Sequence, residues 1–275
     1  MTSAGDVERI EIDLFLEAIA RRWGYDLRDY SRPSIERRVQ AALAASGAAN
    51  LGALQHEVLH DRDAFADVLD AITVRVTDLF RDPEVYLALR TKVVPLLRTY
   101  ALPKIWHAGC ASGEEAYSTA ILIHEEGLDE RTQIYGTDVS QRAIAQAKDG
   151  VYPARHVTTF TKNHRAAGAT SDLGTWLTAA YDRIAMREAL RKRLVFFQHD
   201  LVGDQVFGEM HVVFCRNVLI YFGQELRRRV LDKLAASLVP GGFLVLGTSE
   251  ELPGSTCDER FKPFARAERI YRYEP

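Results

Sequence analysis

The sequence predicts an α/β fold in which a helical N-terminal region precedes a parallel sheet covered by helices. Residues 1–95 place their apolar side chains only at helical spacing. From Lys104 onwards, short apolar runs alternate with helical stretches, a pattern typical of a parallel sheet with right-handed crossovers. A long polar stretch, residues 151–192, breaks this alternation and is predicted to be an insertion between the second and third strands.

Five helices are predicted in the N-terminal region. The first ends at Gly24, and the second begins after Pro33 and ends at Gly47, because glycine adopts the left-handed cap conformation freely. The other three are expected near residues 51–59, 64–72 and 83–89.

Five apolar runs predict the parallel strands of the second region. They begin at Lys104, Gln133, Leu194, His211 and Phe243. The C-terminal run Glu268-Arg-Ile-Tyr-Arg-Tyr alternates between polar and apolar residues, which favours an antiparallel edge strand.

The composition excludes several classes of protein. With 47% hydrophobic residues and a net charge of −3, the chain is neither disordered nor basic overall, so any basic surface must be local. No apolar run approaches the roughly 18 residues of a membrane span, and the first residues show no secretory signal. Cys110, Cys215 and Cys257 lie too far apart for a disulfide framework or a structural zinc site. We therefore expect a cytoplasmic protein without metal, nucleic-acid partner or membrane insertion, and a monomer by default.

A glycine-rich turn follows the first predicted strand. Gly109 and Gly113 bracket this turn, and glycine lets the backbone approach a bound group closely. A dinucleotide site would have a third glycine and a helix N-terminus open to pyrophosphate. Here Glu114 and Glu115 occupy the first helical turn and would repel phosphate. The turn therefore predicts a nucleoside ligand without phosphates and is compatible with a cationic one.

An acidic residue follows the second predicted strand. Asp138 lies close to the offset of about 20 residues at which an acid reaches the ribose hydroxyls in doubly wound sheets. A carboxylate accepts hydrogen bonds from both vicinal hydroxyls at once. Recognition of ribose without recognition of phosphate predicts S-adenosylmethionine as the cofactor.

These residues also have purely structural interpretations. Ser112-x-x-Glu115 fits a capping box, in which the glutamate only satisfies a backbone N–H group. Asp138 is equally suited to cap the helix after Ser140. The position of the turn after one strand and of the acid after the next favours ligand binding over either explanation taken alone.

Polar residues interrupt the apolar run of the fourth predicted strand. Arg216 and Asn217 fall at its carboxyl end, where open α/β sheets bind their ligands, and Tyr221 follows one helical turn later. An interior ion pair is the alternative role of Arg216.

The run Cys215-Arg-Asn-Val-Leu-Ile-Tyr-Phe resembles the signature of the chemotaxis receptor methyltransferases, the CheR family. Similar motifs of that family occur in the same order along nearly the whole chain. They are Thr77-Asp-Leu-Phe-Arg81, Gly113-Glu-Glu-Ala-Tyr-Ser, Thr137-Asp138 and Leu246-Gly-Thr-Ser-Glu.

The resemblance implies a class I methyltransferase fold with a doubly wound sheet. Residues 1–95 would form an all-α domain that recognises the substrate, and residues 96–275 the S-adenosylmethionine-binding catalytic domain. A small β-subdomain would be inserted near residues 155–192.

The resemblance also implies an activity. The family transfers a methyl group to glutamate side chains on the cytoplasmic helices of chemoreceptors, giving the methyl ester and S-adenosylhomocysteine, as part of adaptation in chemotaxis signalling. Arg81 and Tyr221 are expected nearest to the transferring methyl group. Cofactor contacts are expected at Thr77, Arg81, Gly109, Glu115, Asp138, Asp200, Leu201, Arg216 and Asn217.

The expected chemistry needs no catalytic histidine or cysteine. A glutamate side chain with a pKa of about 4.3 is already ionised at neutral pH and requires no general base. The receptor helices read by the family are acidic, whereas the second predicted helix is locally basic. We therefore expect Arg32, Arg37 and Arg38 to bind substrate by charge complementarity, with a solvated helix face as the alternative.

Other functions are compatible with the same sequence. Arg75 and Asp200 stand where the family usually has asparagine, which motivates a catalytically weakened module that binds cofactor or receptor. Another alternative is carboxyl methylation of a different acidic protein or of a small acid. A nucleic-acid methyltransferase is disfavoured because the net charge is −3 and no aromatic residues interleave the basic helix.

Overall fold

The computed structural model describes residues 4–73, 77–252 and 259–275, which form two compact units. Arg75 and Cys257 lie outside the described residues. The first unit comprises residues 4–73, 200–205 and 220–231, and the second comprises residues 77–199, 206–219, 232–252 and 259–275.

Four helices build most of the first unit. They are α1 (Ala4–Trp23), α2 (Arg32–Ser46), α3 (Leu51–His60) and α4 (Arg62–Ile72). Pro33 lies in the first turn of α2, and Gly47 ends it in the left-handed conformation, as the sequence predicts. One apolar face of each helix contributes to a shared core that includes Phe15, Val39, Leu54 and Val68.

A seven-stranded sheet forms the centre of the second unit. Its strands are β1 (Lys104–Ala108), β2 (Gln133–Asp138), β6 (Leu194–Gln198), β7 (Met210–Cys215), β8 (Leu238–Leu246), β9 (Phe261–Ala265) and β10 (Ile270–Tyr273). The order across the sheet is β6-β2-β1-β7-β8-β10-β9, with the first five strands parallel. Ile105 on β1 pairs with Ile134 on β2 and with Val212 on β7. The carboxyl ends of β2, β1 and β7 therefore lie side by side.

Helices of the second unit pack against this sheet. They are α5 (Pro83–Ala88), α6 (Val94–Leu97), α7 (Glu114–Glu125), α8 (Gln141–Asp149), α9 (Val157–Ala166) and α10 (Glu188–Arg191), and α11 (Gln224–Ala236) contributes its last turn. The helices α5 and α6 supply Val85, Tyr86 and Val94 to the core of this unit. The unit boundary therefore precedes α5, whereas the sequence placed it near residue 95. Within the described ranges, no helix has the length and apolar character to cross a membrane.

The inserted β-subdomain belongs to the second unit. Three antiparallel strands form it in the order β3-β5-β4, with β3 spanning Val151–Pro153, β4 spanning Leu177–Ala180 and β5 spanning Arg183–Met186. The subdomain begins a few residues before the predicted start at residue 155. Ile184 and Met186 face the core, whereas Arg183 at the start of β5 is exposed.

The predicted parallel strands are confirmed, but the C-terminal edge is different. The last strand, β10, is antiparallel as expected, yet it lies between β8 and β9 and is not the edge. The sequence analysis missed β9, which contains Pro263. Proline cannot donate to a neighbouring strand, and it is tolerated here because β9 is the true edge of the sheet.

Candidate functional site

The glycine turn between β1 and α7 folds closely against the neighbouring strand ends. The N–H groups of Gly109 and Cys110 both donate to the carbonyl oxygen of Thr137 on β2, each at 2.8 Å. Gly109 has a φ of +78°, and a Cβ atom there would lie 2.5 Å from Cγ2 of Val218. Glycine is therefore required at residue 109 both by its backbone conformation and by its close packing.

Asp138 ends β2 with both carboxylate oxygens directed at backbone groups. Its Oδ1 accepts from the N–H of Ser140 and its Oδ2 from the N–H of Ala111, each at 2.9 Å. The hydroxyl of Ser140 in turn accepts from Ala143 and caps α8. Ser140, not Asp138, is therefore the N-cap of α8, and Asp138 orients the backbone that precedes this helix. Because each oxygen of a carboxylate can accept more than one hydrogen bond, these two backbone contacts do not exclude a ligand at Asp138.

Glu115, in the first turn of α7, is held by two side chains from neighbouring strands. Its Oε1 lies 2.8 Å from Nδ1 of His107 on β1, and its Oε2 accepts from the guanidinium of Arg216 at 3.0 Å. Burial by itself would raise the pKa of Glu115, but the hydrogen bond from His107 and the charge of Arg216 outweigh it, so the pKa is lowered. The carboxylate is therefore ionised at neutral pH.

The capping box considered for this turn does not form. Gly113 occupies the N-cap position of α7 with a φ of +95° and without a side-chain cap. The hydroxyl of Ser112 instead donates to Glu114 at 2.8 Å. Glu114 is buried, and this burial raises the pKa of its carboxyl group to about 7 against the opposing hydrogen bond from Ser112.

Arg216 forms the interior ion pairs that were its alternative role. Its side chain is 1% exposed, and its guanidinium donates to Glu115, to Oδ2 of Asp82 at 2.6 Å and to the carbonyl oxygen of Arg81 at 3.1 Å. The guanidinium also lies over the ring of Tyr86. Arg216 therefore links α7 to the segment that carries the predicted catalytic residue Arg81.

The segment 77–82 approaches the site in an unusual backbone conformation. Phe80 and Asp82, on either side of Arg81, have φ values of 53° and 55°, in the left-handed region that L-residues seldom occupy. The N–H of Phe80 donates to the hydroxyl of Ser118 at 2.8 Å, and the side-chain amide of Asn163 donates to the carbonyl of Leu79. These contacts hold the strained conformation and present Arg81, which is half-buried together with Thr77.

Asn217 also has left-handed backbone geometry, with a φ of 59°. The carboxylate of Glu250 accepts from the N–H groups of Asn217 at 2.8 Å and Gly247 at 2.7 Å. Glu250 is buried and belongs to the Leu246-Gly-Thr-Ser-Glu motif, for which the sequence analysis gave no role. It holds the backbone at the carboxyl end of β7.

Three of the predicted catalytic and cofactor-binding residues belong to the first unit. Asp200 accepts from the N–H of Val202 at 2.8 Å and donates its own N–H to Asp204. Leu201 is buried. The carbonyl oxygen of Tyr221 accepts from the N–H of Ser31 at 2.8 Å.

The three arginines predicted to form a basic face on α2 differ in their exposure to solvent. Arg37 is exposed, whereas Arg38 is only 6% exposed and donates to the carbonyl oxygen of Ile72 at 2.7 Å while lying over the ring of Tyr221. Arg32 is half-buried and pairs with Asp13 and Glu36. The exposed positive charge predicted from these three residues therefore belongs mainly to Arg37.

The structure brings together one set of the predicted cofactor residues. Gly109, Glu115, Asp138, Arg216 and Asn217 lie at or next to the carboxyl ends of β1, β2 and β7, as the parallel register requires. The sequence analysis missed the two residues that hold them, His107 and Glu250. A histidine inside an apolar strand was the available signal for His107. Within the described part of the chain, no cluster of three or more side chains suited to a metal ion is present.

These residues fit S-adenosylmethionine. The glycine turn and the start of α7, residues 109–117, contain two glutamates and no lysine or arginine, so they suit an ammonium group better than a phosphate. The close backbone at Gly109 and the acceptors of Asp138 suit a nucleoside with free ribose hydroxyls.

Comparison with known proteins agrees with this chemistry. The family model described as CheR methyltransferase, SAM binding domain, matches residues 75–267, and the model described as CheR methyltransferase, all-alpha domain, matches residues 10–73. The chain is 44% identical to "Putative methyltransferase Cher3" of Pseudomonas putida over 99% of both chains. It is 32% identical to "Chemotaxis protein methyltransferase" of Vibrio parahaemolyticus over 91% of both chains.

A similar solved structure is that of the N-methyltransferase NodS from Bradyrhizobium japonicum in complex with S-adenosylhomocysteine. It is 15% identical, with a TM-score of 0.40, over 82% of this chain and 98% of that chain. On the two family models and the sequence relatives, this chain belongs to the CheR family of S-adenosylmethionine-dependent methyltransferases.

Proposed function

We propose that this protein methylates glutamate side chains on the cytoplasmic helices of methyl-accepting chemoreceptors and releases S-adenosylhomocysteine. The observation that carries the proposal is the anionic strand-end site. Two ionisable carboxylates, Glu115 and Asp138, are oriented by fixed donors beside a turn that excludes phosphate. Relatives named chemotaxis protein methyltransferase support the choice of substrate.

The proposed cofactor contacts follow from the donors already present. Asp138, whose carboxylate is oriented by the N–H groups of Ala111 and Ser140, accepts from the ribose hydroxyls. Glu115, kept ionised by its two partners, accepts from the ammonium group of the amino-acid tail. Bound S-adenosylmethionine supplies an electrophilic methyl group on a positively charged sulfur.

The proposed role of Arg81 is to orient the substrate carboxylate. The substrate glutamate is ionised at neutral pH, so the protein needs to position it and exclude water, not to remove a proton. Arg81 suits this role because its backbone is held on both sides while its side chain is half-buried. The assignments of Tyr221 to methyl transfer and of Thr77, Asp200 and Leu201 to cofactor binding remain predictions.

Methyl transfer to a receptor fragment tests the proposal. The protein is incubated with S-adenosylmethionine labelled in its methyl group and with a chemoreceptor cytoplasmic fragment, and the product is then treated with mild alkali. We expect labelled protein that releases volatile methanol, because carboxyl methyl esters hydrolyse in base and N-methyl groups do not. The matched control is the same fragment with glutamine at its methyl-accepting positions, which should take up no label.

Two variants and one binding measurement separate the alternatives. Arg81→Ala and Tyr221→Phe should both lose turnover, and Tyr221→Phe, at a residue with no expected cofactor contact, should retain S-adenosylhomocysteine binding in calorimetry. Binding of S-adenosylhomocysteine without transfer to any receptor fragment would indicate a cofactor- or receptor-binding module. Alkali-labile label on another acidic protein, and none on receptor fragments, would indicate carboxyl methylation of a different substrate.

A further inference from the structure

His107 is a fully buried histidine that the proposed mechanism does not use. It lies on β1, two residues before Gly109, and its side chain is 0% exposed. Its ring stacks on Phe214 of the adjacent strand β7, with the ring centroids 4.3 Å apart and the planes 19° from parallel. This stacking restricts the orientation of the imidazole ring.

The polar contact of His107 is directed at the candidate cofactor site. Its Nδ1 lies 2.8 Å from Oε1 of Glu115. An ionised carboxylate only accepts hydrogen bonds, so Nδ1 carries the hydrogen in this contact. No hydrogen-bond partner within the described residues lies against the other ring nitrogen, Nε2. Among the described residues, Glu115 is therefore the hydrogen-bond partner of the His107 side chain.

Side chains from two strands hold the carboxylate of Glu115. His107 on β1 holds Oε1, and Arg216 at the end of β7 holds Oε2. With a donor on each oxygen, the plane of the carboxylate is fixed, and its remaining lone pairs keep one direction. Arg216 has further partners in Asp82 and the carbonyl of Arg81, whereas the second ring nitrogen of His107 has no hydrogen-bond partner among the described residues.

We propose that His107 is a positioning residue for the cofactor's ammonium group, acting through Glu115. This inference rests on the proposed role of Glu115. Without the donor at Nδ1, Arg216 alone would hold the carboxylate, which could then rotate about that single contact. The bound ammonium group would lose a fixed acceptor, so affinity for the cofactor would fall while the chemistry of methyl transfer would be little changed.

Two substitutions, one with a donor and one without, test the donor itself. In His107→Asn, the side-chain amide nitrogen falls near the position of Nδ1 and can donate to Glu115, whereas His107→Leu fills the space without a donor. Calorimetry with S-adenosylhomocysteine should show about tenfold weaker binding for His107→Leu. His107→Asn should bind within about threefold of the unsubstituted protein. Thermal unfolding of both variants shows whether each is folded at the temperature of the measurement.

A double-substitution cycle tests whether the effect passes through Glu115. If it does, His107→Leu should weaken S-adenosylhomocysteine binding when Glu115 is present. The same substitution should cause no further loss of binding in a protein that already carries Glu115→Gln. In steady-state methyl transfer, His107→Leu should raise the KM for S-adenosylmethionine and leave kcat within about twofold.

The outcomes distinguish this inference from the proposed function. No binding of S-adenosylhomocysteine by the unsubstituted protein would overturn the cofactor site itself. Normal binding by the unsubstituted protein and by His107→Leu would overturn only the role of His107. Equal losses in His107→Asn and His107→Leu, or additive losses with Glu115→Gln, would show that His107 matters for packing alone.

Discussion

Glu114 and Glu115 are neighbours in one helical turn, yet their carboxyl groups experience opposite environments. Burial dominates at Glu114, whose Ser112 contact is a neutral hydroxyl, and its pKa rises to about 7. Glu115 is half-buried, but the hydrogen bond from His107 and the charge of Arg216 outweigh the effect of burial, and its pKa is lowered. The difference shows that the position of an acidic residue after a glycine turn does not determine its charge. The partners on adjacent strands determine it.

The comparison assigns different tasks to the two residues. Glu115 forms part of a buried chain of charges that runs through Arg216 to Asp82, beside Arg81. The hydroxyl of Ser118 accepts from Phe80 and donates to the carbonyl oxygen of Glu114, so the hydrogen bonds that link Glu114 to the same segment involve its backbone. We therefore expect the charge of Glu115 to be needed for the site and the charge of Glu114 to be dispensable.

The largest expected effect comes from removing the charge of Glu115. Glu115→Gln leaves the buried guanidinium of Arg216 with Asp82 as its only carboxylate partner among the described residues. Removing one partner of a buried ion pair typically lowers the free energy of unfolding by about 3–5 kcal/mol. Binding of S-adenosylhomocysteine should also weaken about 100-fold. Urea unfolding and calorimetry at pH 7 measure the two effects.

Glu114→Gln is the matched control for this experiment, since the same chemical change is made one residue earlier. The amide resembles the protonated form that burial favours at Glu114. Its free energy of unfolding at pH 7 should equal or exceed that of the unsubstituted protein, and binding should change less than about threefold. Equal losses in the two variants would contradict the distinction between the residues.

The pH dependence of stability is the next largest effect. A glutamate in the unfolded chain titrates near 4.5, and folded Glu114 titrates at about 7. Between these values the folded protein keeps a proton that the unfolded chain has lost, so the contribution of Glu114 to stability falls as pH rises. The total decrease is about 3 kcal/mol.

Unfolding in urea at several pH values, with and without Glu114→Gln, isolates this contribution. The variant should become progressively more stable than the unsubstituted protein from about pH 4.5 to 7, with no further gain above that range. Glu115 has the opposite sign, because its lowered pKa contributes stability that is lost as pH falls below the ordinary range of a glutamate. A stability difference between Glu114→Gln and the unsubstituted protein that does not vary with pH would show that burial does not control Glu114.

Glu250 provides a third carboxylate for comparison with Glu114 and Glu115, because it accepts hydrogen bonds from backbone N–H groups. Glu250→Ala leaves the N–H groups of Asn217 and Gly247 without this acceptor and should lower the free energy of unfolding by about 2 kcal/mol. Glu250→Gln retains one oxygen and should recover more than half of that loss. Urea unfolding measures both variants. Equal losses would mean that the negative charge of Glu250 matters, as at Glu115, and not its capacity to accept.

Much of the fold follows from local sequence. The five parallel strands were predictable because each contains a short apolar run, and helices follow β1, β2 and β7. Pro33 and Gly47 delimit α2 by backbone chemistry alone. The edge strand β9 was not predictable, because Pro263 argues against a strand until the neighbouring strand is known. The start of the second unit was missed because α5 and α6 have helical periodicity in either unit.

The site residues that the sequence predicted are those whose role follows from the residue type at a single position. Gly109 and Asp138 follow from strand ends and spacing, Glu115 was expected from the family resemblance, and the parallel register brings the strand ends together. Their partners depend on contacts distant in sequence, as between Glu115 and Arg216 or between Asn217 and Glu250. A single sequence does not reveal such pairs, nor which of two adjacent glutamates is ionised.

Arg37 and Arg38 on α2 are also adjacent residues in different environments. Substitution at this pair has the smallest expected effect on activity. Arg38 is buried and holds the carbonyl of Ile72, whereas Arg37 is exposed. Reversing the charge of Arg38 would therefore damage the first unit itself and cannot report on substrate binding. The prediction that these arginines bind an acidic receptor helix is tested cleanly only at Arg37.

Arg37→Glu should raise the KM for a receptor fragment about threefold, because one exposed charge contributes little and is screened by salt. The binding of S-adenosylhomocysteine and the free energy of unfolding should stay unchanged. Arg62→Glu on α4 is the matched control, an equally exposed arginine of the same unit for which no substrate role is predicted. Steady-state methyl transfer at low and high salt measures the effect, which should shrink as salt increases. Equal KM values for Arg37→Glu and Arg62→Glu would show that α2 presents a solvated face and does not recognise the receptor by charge.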